Sequence, residues 1–126
     1  MNARGCILIV DDEAEVVQVL SEYFTRQGYA VETAPGGAEA LASLGGGRPD
    51  LVLLDINMPG IDGIEVLRRL HEIDGSIPVI MVTANQEVAI AEESLRLGAV
   101  GYVEKPFDFV ALGRSVSGAL ARRGAT

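Results

Sequence analysis

The chain has 126 residues, 48% of them hydrophobic, and a formal net charge of −8. That length fits a single domain, expected over residues 1–126, which can bury roughly two-thirds of its unfolded surface and fold without cross-links; a second domain would not fit, and no long polar tract marks a disordered chain. The acidity argues against a surface for a phosphate backbone, which needs clustered Lys and Arg, so no direct nucleic-acid contact is expected.

The N-terminal apolar run, Cys6 to Val10, is too short for a signal-peptide core or a membrane span, and the simplest expectation is a cytoplasmic protein with no membrane contact. Cys6, the single cysteine, excludes an internal disulfide and reads as a small buried hydrophobe. Ile7 to Val10 predicts a first strand, and Val16, Val17, Leu20, Tyr23 and Phe24 form the apolar stripe of a first helix that Gly28 stops. Tyr29 to Thr33 is a second strand carrying polar Glu32 and Thr33, and Leu41 and Leu44 mark a short second helix ended by Gly45-Gly46-Gly47. Leu51 to Leu54 is a continuously apolar third strand, followed by a third helix with Ile64, Leu67 and Leu70 that an Asp62-to-Glu65 capping box opens. Val79 to Val82 is the fourth strand. The fourth helix, about Gln86 to Leu97, has a thin stripe of Val88, Ala91 and Leu95 and is a candidate for movement. Gly101 to Val103 makes a brief fifth strand, and Phe109, Leu112, Val116 and Leu120 mark a fifth helix.

Five alternations of strand and helix predict an α/β architecture around a parallel sheet. The polar second strand and the brief fifth belong at its edges, and right-handed crossovers then give the order 2-1-3-4-5. In that order the first and third strands are neighbours, so Asp11, Asp12 and Asp55 share the rim where open α/β sheets bind ligands. Thr83 comes from the adjacent fourth strand. Lys105, the only lysine beside nine arginines, comes from the fifth, two strand spacings or roughly 10 Å from the third.

Three converging carboxylates repel one another and raise the pKa of at least one of them; a divalent metal removes the conflict. Magnesium (Mg2+) suits one or two carboxylates plus a backbone carbonyl, because it keeps several waters and completes its shell with phosphate oxygens. We assign Asp12 and Asp55 as direct ligands, the main-chain carbonyl of Asn57 as a third, and Asp11 as a ligand through water. The same set suits transfer of a phosphoryl group to a carboxylate: Asp55 is the nucleophile, and metal, Lys105 and the Thr83 hydroxyl compensate charge on the equatorial oxygens. Singly, each residue has a plainer reading. Asp12 with Glu15 makes a capping box for the first helix, Thr83 or Asn85 can cap the fourth, and Asp55 to Gly60 can be a strand ending in a Pro-Gly turn. Lys105 can be a solvated lysine, with Pro106 starting the fifth helix. Their coincidence at successive strand ends is what favours a site. His71, near the end of the third helix, reads as a solvated C-terminal-turn histidine.

Ile9-Val10-Asp11-Asp12-Glu13, Leu53 to Gly63, Val82-Thr83-Ala84 and Gly101 to Phe107 resemble, in order, the motifs of the receiver domain of two-component response regulators, over about residues 5–121. The resemblance implies a flavodoxin-like doubly wound (βα)5 fold, and a histidine kinase or histidine phosphotransfer protein that donates from phosphohistidine to Asp55 with Mg2+ on Asp12, Asp55 and the Asn57 carbonyl. It implies that Thr83 and Tyr102 couple phosphorylation to the face formed by the fourth helix, fifth strand and fifth helix, which would meet an output domain, a downstream protein or a second copy. It also implies a cis Lys105-Pro106 peptide. Gly113 and Gly118 depart from a good fifth helix, each costing up to about 1 kcal/mol relative to alanine. The chain ends at Thr126, expected of either a stand-alone receiver or a piece of a longer regulator.

The function expected is therefore a switch rather than an enzyme with turnover on metabolites. A small hydrolase resembling the haloacid dehalogenase group would want a second aspartate two residues after the nucleophile, where this chain has Asn57. A pseudo-receiver that binds partners without phosphate is the other alternative, and the full set of site residues weakens it.

Overall fold

The computed structural model describes residues 4–84 and 88–124. Five strands, β1 (Cys6–Val10), β2 (Ala30–Ala34), β3 (Leu51–Asp55), β4 (Val79–Thr83) and β5 (Gly101–Glu104), alternate with helices α1 (Ala14–Arg26), α2 (Gly37–Ser43), α3 (Gly63–Ile73), α4 (Val88–Arg96) and α5 (Phe109–Gly124). All strand pairs are parallel, in the order β2-β1-β3-β4-β5. The expected α/β doubly wound arrangement is thus present, with the polar and the brief strand at the edges.

A strand's side chains alternate faces, so even continuously apolar strands divide between two cores. Leu8, Val10, Val52, Leu54, Val79 and Met81 pack with Val66, Leu67 and Leu70 of α3. Ile7, Ile9, Leu51, Leu53, Ile80 and Val82 pack with Leu20 and Phe24 of α1 and Leu112 and Val116 of α5. With both faces of β1, β3 and β4 sealed, the polar groups of the sheet concentrate at the strand tips.

Several local expectations are corrected. α1 starts one residue later than a cap at Asp12 requires: Glu13 is the N-cap and its side chain makes no capping bond. Instead Asp11 Oδ1 accepts from the Glu13 N–H at 2.9 Å, which turns the chain into the helix and leaves Asp12 available. α2 ends at Ser43 and passes into a 3-10 turn, Leu44–Gly46, before the glycine run is complete. On α4, Leu95 is 51% exposed, and Ser94 faces inward because its hydroxyl is satisfied by the Ile90 carbonyl at 2.9 Å. Asn85 and Gln86, the suggested cap and start of that helix, lie outside the described residues, as do the side chains of Val88 and Ala91. His71 is half-buried rather than solvated: its Nδ1 lies 3.1 Å from the Leu97 carbonyl and its Nε2 3.2 Å from the Ile77 carbonyl, joining the end of α3 to the segments that leave α4 and enter β4.

The Asp62 cap of α3 holds, with its carboxylate accepting from the Glu65 N–H at 2.9 Å. The next residue, Gly63, donates its N–H to the Ile56 carbonyl at 2.9 Å and lies directly on the end of β3. A Cβ there would collide with the Asp55 carbonyl oxygen and lie 2.7 Å from Ile56 Cα, both rigid backbone atoms. Gly63→Ala is therefore expected to cost about 2–3 kcal/mol in urea unfolding, as overpacking does. A loss below about 0.5 kcal/mol would show that the junction gives way freely.

Candidate functional site

The register of the sheet builds the site. Val10 of β1 pairs with Leu54 of β3, so the residues that follow, Asp11 and Asp55, end adjacent strands side by side. Asp55 in turn pairs with Val82 of β4, one residue before Thr83, and Thr83 pairs with Glu104 of β5, one residue before Lys105. Carboxylate oxygens of Asp11, Asp12 and Asp55 all lie within 4.8 Å of one another. Asp11, Asp55 and Thr83 are buried, whereas Asp12 and Asn57 are exposed.

Lys105 reaches farther than the strand spacing alone suggested. Its Nζ donates to Asp11 Oδ2 at 3.0 Å and to Glu13 Oε1 at 3.1 Å, and lies 3.7 Å from Asp55 Oδ2. Glu13 was not singled out from the sequence, although it directly follows the aspartate pair. The Lys105 N–H also donates to the Thr83 carbonyl at 2.7 Å, and the Lys105-Pro106 peptide is cis. Burial works against the Lys105 charge, but its hydrogen bonds to Asp11 and Glu13 and the nearby carboxylate charges outweigh it and hold the amine above the ordinary lysine range.

Asp55 is in the opposite position. Its Oδ1 accepts from the Asn57 N–H at 3.2 Å, but Oδ2 is buried with no hydrogen-bond partner. Burial first, then the Asp11 charge, push its carboxyl up from 3.8 to about 6, against the opposing pull of Lys105 and the Asn57 N–H. The donors here are all oxygen, three carboxylates share one small volume, and one of them has an orphaned oxygen, so the set fits a hard, oxygen-seeking divalent cation. Tyr102 sits half-buried on β5, opposite Met81 of β4, on the strand that carries Lys105.

The Asp55 shift has a sign that can be tested. Burial raises the folded-state value, so the fold favours the protonated carboxyl; that contribution is full below about pH 4 and is lost as pH rises through about 6. Asp55→Asn keeps an acceptor for the Asn57 N–H and removes the charge. In chelator, its unfolding free energy should exceed that of wild type by on the order of 2–3 kcal/mol at pH 8, with the gap closing toward pH 4.5. Urea unfolding at several pH values measures it, and a pH-independent gap would remove Asp55 as the cause.

The profile of the response regulator receiver domain family matches residues 7–117. Sporulation initiation phosphotransferase F of Bacillus subtilis is 47% identical over 108 residues, which is 86% of each chain. The regulatory protein AtoC of Escherichia coli is 45% identical over 120 residues, 95% of this chain but only 26% of that protein. Other relatives are likewise longer, so that the chain spans about half of the transcriptional regulatory protein PrrA of Mycobacterium tuberculosis, at 52% of its length. Among solved structures, a CheY-like response regulator receiver domain protein from Methanospirillum hungatei superposes with a TM-score of 0.91 at 30% identity, covering 95% of this chain and 96% of that one. Among the described residues no helix is long and apolar enough to cross a membrane. With the sheet order, the rim of carboxylates and these likenesses together, the chain belongs to the response regulator receiver domain family, the switch domains of two-component signalling.

Proposed function

We propose that residues 1–126 act as one phosphoacceptor receiver domain, in which Asp55 takes a phosphoryl group from a phosphohistidine of a histidine kinase or histidine phosphotransfer protein. The observation that carries this reading is Asp55 Oδ2: buried, without a hydrogen-bond partner, and 3.7 Å from the Lys105 ammonium. An acceptor oxygen must be free to form a bond, and this one is. Transfer forms the P–O bond to Asp55 as the P–N bond to the donor imidazole breaks, and the imidazole keeps the electron pair of that bond. Lys105, held in place by Asp11 and Glu13, receives one equatorial oxygen of the group, and the Thr83 hydroxyl receives another.

Asp12, Asp55 and the Asn57 main-chain carbonyl would hold Mg2+ directly and Asp11 through a water, and the ion when bound supplies positive charge to the transferring oxygens and relieves the repulsion among the aspartates. Drawing Thr83 toward the phosphoryl group vacates space into which Tyr102 turns, and this biases a two-state equilibrium of the α4-β5-α5 face. That face then meets an output domain, a downstream protein or a second copy of the chain. The acidic net charge of −8 supports a role that does not include direct contact with nucleic acid, in the cytoplasm where such kinases present phosphohistidine.

Intact-mass spectrometry after incubation with acetyl phosphate should show a gain of one phosphoryl group that requires both Mg2+ and Asp55, and none in Asp55→Ala. Labelling that persists unchanged in Asp55→Ala would overturn the assignment. Asp12→Ala should keep the fold, judged by circular dichroism, while lowering Mg2+ affinity by more than about tenfold, a loss seen even for groups outside the direct ligand shell. Titration with unchanged affinity would remove Asp12 from the metal site.

A further inference from the structure

A cavity of about 380 Å³ lies between α1 and α5, running from Arg4, which precedes β1, and Gln27, which follows α1, to Val110 in the first turn of α5. The Arg4 guanidinium stacks 4.8 Å from the centroid of the Tyr29 ring and donates to the Gln27 carbonyl at 3.1 Å and to Ser117 Oγ at 3.3 Å. Tyr29 Oη lies 3.4 Å from the same serine hydroxyl. These contacts fix the guanidinium without using up its five N–H donors. Arg114 of α5 lines the same cavity.

The charge distribution here runs against that of the chain. Acidic residues outnumber basic ones 18 to 10, and Arg48, Arg68, Arg69, Arg96, Arg123 and Lys105 all have a carboxylate within 4.0 Å. Among the described residues Arg4, Arg26, Arg114 and Arg122 have none; of these Arg4 and Arg114 share the cavity, and no Asp or Glu lines it. Two cations set at one cavity without a counter-charge repel, and an anion between them would reverse the sign of that interaction. Tyr23 and Val110 supply an apolar wall, and Val110 is the most exposed large hydrophobic residue among those described, at 60%. On the α5 side Gly113 lets the Tyr23 phenol lie against the helix, since a Cβ there would stand 3.0 Å from Tyr23 Oη. The volume is in the range of small-molecule sites, and the lining combines apolar area with a few convergent polar groups, as such sites do.

We propose that the α1–α5 cavity is a second binding site, for a small organic anion: a carboxylate or phosphate-type group held by Arg4 and Arg114, on an aromatic or aliphatic body set against Tyr23 and Val110. Guanidinium forks match both kinds of oxyanion, and the Ser117 hydroxyl adds a donor. This site is independent of phosphoryl transfer to Asp55.

The test is an NMR titration of the full chain, without magnesium, using phenylphosphonate, whose P–C bond cannot pass a phosphoryl group to Asp55; benzyl alcohol provides a neutral body of similar size. Saturable shifts at the amides of Tyr23, Gln27, Gly113 and Ser117 with phenylphosphonate alone are expected. Arg114→Gln should weaken that binding at least tenfold while its labelling by acetyl phosphate with Mg2+ stays at the wild-type level; Arg4→Gln should weaken it as well. The Arg114 side chain makes no hydrogen bond or ion pair among the described residues, so its replacement is expected to leave the fold intact and decides the matter. Equal affinity in Arg114→Gln, equal response to benzyl alcohol, or shifts confined to the amides around Asp11, Asp55 and Lys105 would each overturn the proposal.

Discussion

The parallel register of β1 and β3 forces two buried aspartates together, and much else in the molecule answers that constraint. Asp11 and Asp55 follow paired residues on adjacent strands, so neither can move away without breaking the sheet. Burial first, and then the like charge of Asp11, oppose ionisation and push the Asp55 carboxyl up to about 6 even beside a lysine. Lys105 relieves only part of this. Two of its three donors go to Asp11 and Glu13, and at 3.7 Å from Asp55 the third interaction is long for a hydrogen bond. The sheet thus stores unfavourable electrostatics at one point, and a cation bound there would relieve it. Strain of this kind persists because the surrounding structure over-determines it.

That over-determination comes from both cores. β1, β3 and β4 are sealed on their two faces, so the energy that holds the register is spread over a dozen strand side chains and no single rim residue has to supply it. Gly63 adds a harder stop, because α3 begins against the backbone at the end of β3 and fixes the turn through Asn57 from below. The exposed members of the site, Asp12 and Asn57, are then free to face a ligand or a partner. Rigid backbone beneath accessible donors is the arrangement that positions a reacting group best.

Most of the fold and the rim were legible in the sequence, because both follow from patterns of short range. Continuous apolar runs give buried parallel strands, polar or brief ones give edges, and crossover handedness then orders all five; the tips of those strands place Asp11, Asp55, Thr83 and Lys105 without knowledge of any side-chain contact. The features that were not legible depend on packing between distant segments. Whether Asp12 or Asp11 turns the chain into α1 is a matter of one residue of helix start, which capping preferences cannot resolve. Periodicity chose Leu95 over Ser94 for the inner face of α4, since a serine that hides its hydroxyl on its own helix looks polar in sequence and behaves as a small residue in the core. Gly113 looked like a weakness of α5; its reason, the Tyr23 phenol, lies ninety residues away along the chain.

His71 was the least legible residue, and it bears on how a switch of this kind can work. Its ring spans from the Leu97 carbonyl to the Ile77 carbonyl, and each tautomer donates to one of them while the doubly protonated ring donates to both. The same end of α4 is closed by the bonds of Gly98 N–H to the Leu95 carbonyl and Ala99 N–H to the Ser94 carbonyl, and the next residue joins the sheet through Val100 N–H to the Val79 carbonyl. α4 is therefore tied at its C-terminal end to α3, to the entry of β4 and to β5 at once. Under the proposed function, a push near Thr83 would pivot α4 about this tied end rather than slide it, because sliding would break the whole set of terminal bonds together while a pivot spares them. A displacement at the buried rim would then be largest toward the N-terminal end of α4 and smallest at Leu95, beside the tied end.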